Sequence, residues 1–598
     1  MHNPGDVSPH PSQKINNYQP FALVLYLLGI ILLRLSGYLK KYNILMEVME
    51  TKSRFDFLIN VSYIFLICFS CHWMLLVNDG FFWDDNVHYG LIQGKHYAEL
   101  SAFLLETGLP LNIIFFRGID FLFGVSNHRI VGFATIFLSA VLLNSLFRRY
   151  AGDFRSLSLV FTSLYLALFP FKSTVLLCTL VYQVMLLFFL TAVYIRVSWG
   201  QHHSKLVRIS ALAIFLLLSF VSFNTASILV LFYFFLACEY FSSINFSLAN
   251  LSFHSAWNFV KRNVPALLLP IIYWVGKSIF FPTHGLYKNY NKVIFDLSRQ
   301  WDVVVAFFNG IFSRGPLHDI EVRYPMVSMG ILLACLILAV FPRIWIVVRF
   351  HLPSTKRPKP VLLLLSIVFL VVSALPYILI GEGPRYQGWE SRHYILFTLS
   401  LPLFILALVV IYIDRLKAIS EIKFIDYIFR PLIAGIVLVG VVSANIVYLD
   451  YQLIAIKQWA VVENLKIKPE LKSYSVFAID DQVGDFSQSE FSWYQANYQA
   501  FYEWAAIFKK AWGGEKWYGN NINRPEEFYK SMRYGTADID PDGRKCLLTL
   551  SNTSPYGRIG IARRYFKVKY FGTDSQLKEF LLSIVAIESC QSNGVRTP

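Results

Sequence analysis

The chain has 598 residues and a formal net charge of +16; it is 56% hydrophobic and only 15% charged. Soluble domains carry nearer about 25% charged residues, so a soluble chain is a poor reading. Apolar runs of roughly 17 to 23 residues recur between positions 56 and 449, the length that crosses about 30 Å of hydrocarbon. The expected fold class is a polytopic α-helical membrane protein of about 11–12 spans.

In chain order, residues 1–55 form an N-terminal tail. Within it, "FALVLYLLGIILLRLSGYLKK" (21–41) is apolar but carries Arg34, and reads either as an extra span or as an interfacial helix. It lacks a small-residue cleavage site, which argues against a cleaved signal peptide. Spans are predicted near 56–77, 128–147, 156–170, 175–195, 209–223, 226–242, 263–281, 326–348, 361–380, 393–413 and 431–449. Tight hinges, "FPFKS" (169–173) and "SFNTA" (222–226), separate some of them.

Loop charge sets the orientation. Segments 148–155, 196–208, 239–262, 343–359 and 414–430 together hold 17 Lys/Arg against 5 Asp/Glu, whereas 78–127, 171–175, 277–325 and 381–392 hold 11 against 12. The positive-inside rule assigns the first set to the cytoplasm. The positive charge belongs mainly to these loops, so nucleic acid is not implied as a partner. Residues 56–449 are read as the transmembrane catalytic domain. Residues 450–598 turn polar and read as a C-terminal extracytoplasmic α/β domain, about 150 residues being enough to bury a core. Its strand-like stretches are 474–479, 546–550 and 566–572; its helix-like stretches are 490–512 and 575–587.

Directly after the first run comes "NDGFFWDDNVHYG" (78–90), with adjacent carboxylates Asp84 and Asp85 among aromatics at the lip of the bilayer. Acids at a membrane boundary are costly to desolvate and mark function by default. The next stretch, 96–124, is apolar but broken by Glu99, Glu106, Arg117 and Asp120, a pattern that suits helices lying in the interface. Further along, 282–325 is a long outward loop with amphipathic pieces. A third outward loop, "GEGPRYQGWESRHY" (381–394), collects Glu382, Arg385, Trp389, Glu390, Arg392 and His393. Guanidinium forks bind phosphate oxygens well, and a carboxylate can take the proton of an acceptor hydroxyl as general base. Together they suit transfer of a sugar from a lipid phosphate. Arg385, Arg392, His393 and Lys277 are the candidate donor-phosphate ligands, with Glu382 and Trp389 lining the same cavity. Asp85 is favoured as the base and Asp84 as its orienting neighbour. No cofactor is required for such a displacement; a divalent cation, if one takes part, would go to Asp84 and Asp85. Each residue has a plainer reading too. The Asp pair suits the N-cap of the following helix, Arg385 and Arg392 can pair with Glu382 and Glu390, and Lys277 can snorkel to the interface. His88 and His96 are not read as a metal pair, because no His/Cys cluster accompanies them.

The layout resembles the GT-C superfamily of integral membrane glycosyltransferases. The resemblance lies in a first span followed by outward "WDDNVHY" and interfacial helices, and in 107–150, which is similar to that family's run from jaw helix into second span. The hinges at 168–174 and 222–228 and a domain after the last span are similar too. It implies a polyprenyl-phosphate-linked sugar donor, a glycan, lipid or protein acceptor, and an acidic residue of the first outer loop, here Asp84 or Asp85, acting as base or metal ligand. The implied location is a multi-pass protein of a bacterial inner membrane with an extracytoplasmic active site. Lys172 stands at the second hinge where many relatives carry an acid, and no Trp-Trp-Asp motif is present, which argues against en bloc transfer to asparagine. The alternatives are a transporter or flippase, or a polymerase, of lipid-linked glycans. A transporter favours inverted repeats and charges at mid-span, and neither is visible in the sequence.

Cys546 and Cys590 are the cysteines outside the apolar runs. An oxidising compartment favours their pairing. Closing a loop of about 45 residues is expected to stabilise by roughly 3 to 4 kcal/mol.

Overall fold

The structure is a computed structural model of the chain. It describes residues 51–82, 85–150, 157–168, 175–200, 202–244, 252–288, 293–312, 359–384, 389–417, 422–483, 486, 501–513, 517–521 and 545–588. The predicted runs at 21–41 and 326–348 lie outside the described residues, as do the hinge at 169–173 and Lys172. The other ten predicted runs are helical. Seven helices are long and apolar enough to cross a membrane: Phe57–Val77, Val125–Arg149, Leu177–Trp199, Lys205–Ser222, Phe253–Phe280, Leu362–Ile380 and Pro431–Lys466. Three shorter apolar helices, Ser158–Ala167, Ser227–Ser243 and Phe397–Tyr412, accompany them. Helix is the expected answer in lipid, where each backbone N–H and C=O must find its partner inside its own segment.

Numbered in chain order, the elements are α1 (Thr51–Val77), α2 (Asp85–Gln93), α3 (Tyr97–Glu106), α4 (Leu111–Phe123), α5 (His128–Tyr150), α6 (Ser158–Ala167), α7 (Leu177–Trp199), α8 (Lys205–Ser222) and α9 (Ser227–Ser243). Then come α10 (Phe253–Phe280), α11 (Leu297–Phe312), α12 (Lys359–Ile380), α13 (Phe397–Lys417) and α14 (Ile422–Lys466). The polar end adds β1 (Val476–Asp481), α15 (Phe501–Trp512), β2 (Tyr518–Asn521), β3 (Lys545–Asn552), α16 (Arg558–Phe571), α17 (Asp574–Ile584) and β4 (Val585–Glu588).

Helices α1, α5, α6, α7, α9, α13 and α14 contribute to one continuous apolar core, with Cys68, Leu75, Ala140, Leu164, Leu176, Phe232, Leu406 and Ala444 all fully or almost fully buried. Helices α6 and α14 approach closely. A Cβ at Gly440 would lie 2.5 Å from the Ala167 carbonyl oxygen, so only glycine permits this crossing. On the face assigned to the cytoplasm, Arg196 at the end of α7 holds Glu239 of α9 through two 2.8 Å bonds and Asn263 of α10 at 2.6 Å. Asn263 departs from helical geometry just before Pro265, a kink that follows from the N–H proline lacks and from its ring.

Helix α14 does not stop where the apolar run does. Its 45 residues span about 67 Å at 1.5 Å each, more than twice the hydrocarbon thickness, so the predicted boundary at 450 falls inside a helix. Its last third carries Leu453, Ile456, Ala460, Val461 and Leu465, which pack with Phe477, Ile479, Trp504, Phe508, Leu548, Ile561, Tyr565 and Ile584. The sheet has the order β2-β1-β3-β4, with β1 parallel to both β2 and β3 and β4 antiparallel to β3. Lys457 of α14 and Asp481 at the end of β1 form an ion pair at 2.7 Å, 1% and 3% exposed.

Two expectations at this end are corrected. Stretch 566–572 alternates like a strand but is the end of α16, because Ile561 and Tyr565, four apart, bury one helical face. Stretch 575–587 is helical only to Ile584; the "VAI" that follows, with β-branched Val585 and Ile587, opens β4, recruited by pairing Val585 with Asn552.

Candidate functional site

The acidic stretch after α1 is stitched to five helices. Arg129, near the start of α5 and 6% exposed, donates to the carbonyl oxygens of Asn78 (2.8 Å), Gly80 and Val175 (3.3 Å). Gln458 of α14 accepts from the Phe81 N–H at 3.4 Å and donates to its carbonyl at 2.8 Å. Asp79 accepts hydrogen bonds from Tyr565 (2.5 Å) and Lys569 (2.7 Å), both on α16, and from Gln452 of α14 (3.2 Å). The Phe81 ring lies 4.4 Å from Tyr89 of α2, and Lys510 of α15 sits 4.5 Å from the Phe81 centroid and 5.1 Å from that of Trp459.

Asp85 closes this arrangement. It is fully buried, and its two carboxylate oxygens accept the backbone N–H groups of Leu177 and Cys178, each at 2.9 Å. These are the first N–H groups of α7, which have no partner inside the helix. Asp85 therefore caps a distant membrane helix rather than the one it begins, a long-range bond that sequence spacing does not reveal. Burial pushes its carboxyl up from the ordinary value, while the Cys178 and Leu177 bonds and the charge of Arg129 pull it back. Asp84 lies outside the described residues.

Asp79 behaves in the opposite sense. Burial pushes its carboxyl up, but the Lys569 ammonium and the bonds from Lys569, Tyr565 and Gln452 outweigh it and hold the group below its ordinary value of 3.8. A depressed carboxylate contributes stability that is full above its unfolded pKa and lost as pH falls through its folded one. The docking of α16 on the lip is thus expected to weaken only below about pH 4. Melting curves in detergent between pH 3 and 7 should show a steeper acid loss for the parent than for Asp79→Asn; parallel profiles would contradict the assignment.

The amphipathic helices α3 and α4 follow. Lys95 and Tyr97 each meet Asp120 at 2.5 Å, and Arg117 lies 4.8 Å from the Tyr97 centroid. The rest of α4 presents Ile114, Phe121 and Leu122 outward, Phe121 at 86% exposure, the apolar side expected of a helix lying in a membrane interface. His88 is buried between Phe103 and Phe116, and His96 pairs with Glu99 at 3.4 Å on the surface. Among the described residues no group of three or more His, Cys, Asp and Glu is placed to hold a metal ion.

The remaining candidates occupy other places. Lys277, three residues from the end of α10, lies beside Gly108, whose φ of +69° turns the chain between α3 and α4. Glu382 meets Arg299 of α11 at 3.7 Å, and Arg299 also donates to the Gly381 carbonyl at 3.1 Å. This partner comes from α11. Arg392 and His393 sit in the short 3-10 turn Trp389–Tyr394, 6% and 4% exposed. The His393 ring lies 4.6 Å from Tyr377. Burial drives its pKa well below the ordinary value, with Arg392's charge adding and a backbone bond to Gly383 opposing. His393 is therefore held neutral, with its N–H given to the Gly383 backbone and its Nδ1 left as an acceptor. Arg385 and the side chains of Trp389 and Glu390 lie outside the described residues. Arg392 is not among the partners of Asp85 in the described residues.

Cys546 on β3 is disulfide-bonded, while Cys68, Cys71, Cys178 and Cys238 keep their thiols. Cys590 lies outside the described residues. Glu588, two residues before it, pairs with Thr549, three residues after Cys546.

Asp79, Arg129, Gln452, Gln458, Lys510, Tyr565 and Lys569 were not singled out from the sequence. Asp79 and Arg129 had a local signal, being charges at the ends of spans. The partners from α14, α15 and α16 arrive from more than 370 positions away along the chain, and no local pattern announces them.

The architecture is that of a multi-pass helical membrane protein. Compared with known family models, curated proteins and solved structures, the chain matches none.

Proposed function

We propose that the protein is a membrane glycosyltransferase that moves a sugar from a polyprenyl-phosphate-linked donor to an acceptor hydroxyl on the extracytoplasmic side. The carrying observation is the acidic lip 78–85, clamped by helices from both ends of the chain and followed by amphipathic helices with exposed aromatics. Such helices suit a substrate whose tail stays in lipid, and a clamped lip holds a carboxylate at a fixed height above it. Loop charge supports the outward orientation. The disulfide at Cys546 supports it independently, since disulfides persist in oxidising compartments; we assign Cys590 as its partner. The sheet and helices after α14 then form an extracytoplasmic α/β domain docked on the lip, and the helices described, with those predicted at 21–41 and 326–348, make up 11–12 spans.

The reaction is a single displacement. The acceptor oxygen attacks the anomeric carbon, its proton passes to a carboxylate, and the bond from that carbon to the phosphate oxygen breaks with its electrons leaving on phosphate. Asp85 spends both oxygens on α7, which points to Asp84 as the base. The leaving phosphate is already a good leaving group and needs charge compensation, the role assigned to Arg392 with Arg385. Arg392→Ala is expected to weaken binding of a polyprenyl phosphate about tenfold or more, and Arg392→Lys to weaken it less while losing the planar fork. Unchanged binding in Arg392→Ala would remove it from the donor site.

A further inference from the structure

The ammonium of Lys510 is held in an unusual way for a cation in the last turn of a helix. A basic residue there is favoured by the helix dipole, and Lys509 and Lys510 both satisfy that rule. The dipole does not explain why Lys510 turns onto the lip and lies between the faces of Phe81 and Trp459. Nor is it there to neutralise an acid. Asp79 contributes only at a distance, being bonded to Lys569, Tyr565 and Gln452. Among the described residues no carboxylate lies within hydrogen-bond or ion-pair distance of Lys510. Solvent still reaches the side chain, although protein groups crowd its ammonium and Arg129 adds a like charge nearby. Burial first, then Arg129, push its pKa down to about 8, against the pull of Asp79 and Glu503. Two aromatic faces satisfy part of an ammonium and leave N–H donors for a ligand. A crowded cation in that state gains from an incoming anion, and the Phe81–Tyr89–Trp459 surface beside it suits the C–H face of a sugar ring.

We infer that Lys510, with Phe81, Tyr89 and Trp459, forms a subsite for an anionic saccharide, a sugar bearing a carboxylate or phosphate, and that the polar end of the chain thereby supplies a substrate-binding residue to the acidic lip. As an assignment of acceptor class, the inference rests on the transferase reading above; as a binding site it does not. The anion meets the ammonium and the ring packs on the aromatics.

The test is protection of Lys510 from acylation in the full-length detergent-solubilised protein. Its low pKa makes it react ahead of ordinary lysines with an amine-directed ester at pH 7.5, read by peptide mass spectrometry. Millimolar glucuronate or glucose 1-phosphate is expected to slow labelling of Lys510 about fivefold or more, and glucose is expected not to. Lack of protection by either anion would overturn the site. Equal protection by a short-chain polyprenyl phosphate would overturn the saccharide assignment in favour of the lipid donor. Lys510→Met keeps the apolar stem and should fold; it should lose glucuronate binding about tenfold while Lys510→Arg retains most of it. An unchanged affinity in Lys510→Met, with a lowered melting temperature, would reduce Lys510 to a structural contact and overturn the proposal. In a transfer assay the Met variant should raise the KM for an anionic acceptor and leave kcat within about twofold. A parent that binds glucuronate at Lys510 yet transfers no sugar would keep this site and overturn the transferase reading.

Discussion

Asp84→Asn is expected to lower sugar transfer by about 10²- to 10⁴-fold, the usual worth of a positioned general base, with expression, melting temperature and donor binding close to the parent. Asp85 gives one oxygen to the Leu177 N–H and the other to the Cys178 N–H and is fully buried, so an acceptor hydroxyl has no route to it in this arrangement. Adjacent side chains leave the backbone in different directions, so on the proposed reading Asp85 anchors the lip and Asp84 serves the substrate. Transfer rates of Asp84→Asn at saturating donor and acceptor check this. Near-parental turnover would mean that neither carboxylate is the base.

Asp85→Ala is expected to fail at a different level, in folding. It strips the first two N–H groups of α7 of their acceptors, at about 1 to 3 kcal/mol each when buried, and removes a negative charge near the buried Arg129. The two stripped donors together are expected to cost about 2 to 6 kcal/mol. Asp85→Asn is milder. Its single amide oxygen serves one N–H, and its NH2 faces the other donor, so about 1 to 2 kcal/mol should be lost. Thermal melts of the two variants in detergent should fall in the order parent, Asn, Ala. If Asp85→Asn melts like the parent and transfers no sugar, Asp85 is the chemical residue and its bonds to α7 are secondary.

The membrane class and the helical runs were legible because lipid permits few answers. Hydropathy over about 20 residues, the need to satisfy each backbone group and the sign of loop charge act locally and agree with one another. The lip was legible for a similar reason, since acids beside a bilayer are conspicuous. Its partners were not. The contacts that clamp Asp79 and Phe81 come from Gln452, Gln458, Tyr565 and Lys569, residues with no special local pattern. The role of Asp85 shows the same limit: N-cap chemistry was anticipated, but the helix it caps begins 92 positions later. Alternation misled at 566–572 because Tyr565 and Lys569, one helical turn apart, both reach Asp79, a demand that comes from the docked lip rather than from the segment itself. Helix α14 ran past its predicted end because the apolar pattern changes partner there, from lipid and membrane helices to the sheet, without a break in helical periodicity.

The most direct measurement is transfer itself. The purified full-length protein, reconstituted in liposomes with a radiolabelled polyprenyl-phosphate sugar and a panel of neutral and anionic saccharide acceptors, should release free polyprenyl phosphate and move label to the acceptor in equal amounts. Asp84→Asn should abolish both and Arg392→Ala should weaken both. Movement of the intact labelled lipid between leaflets with no cleavage of the sugar–phosphate bond would contradict the account and make the protein a carrier of the lipid rather than a transferase.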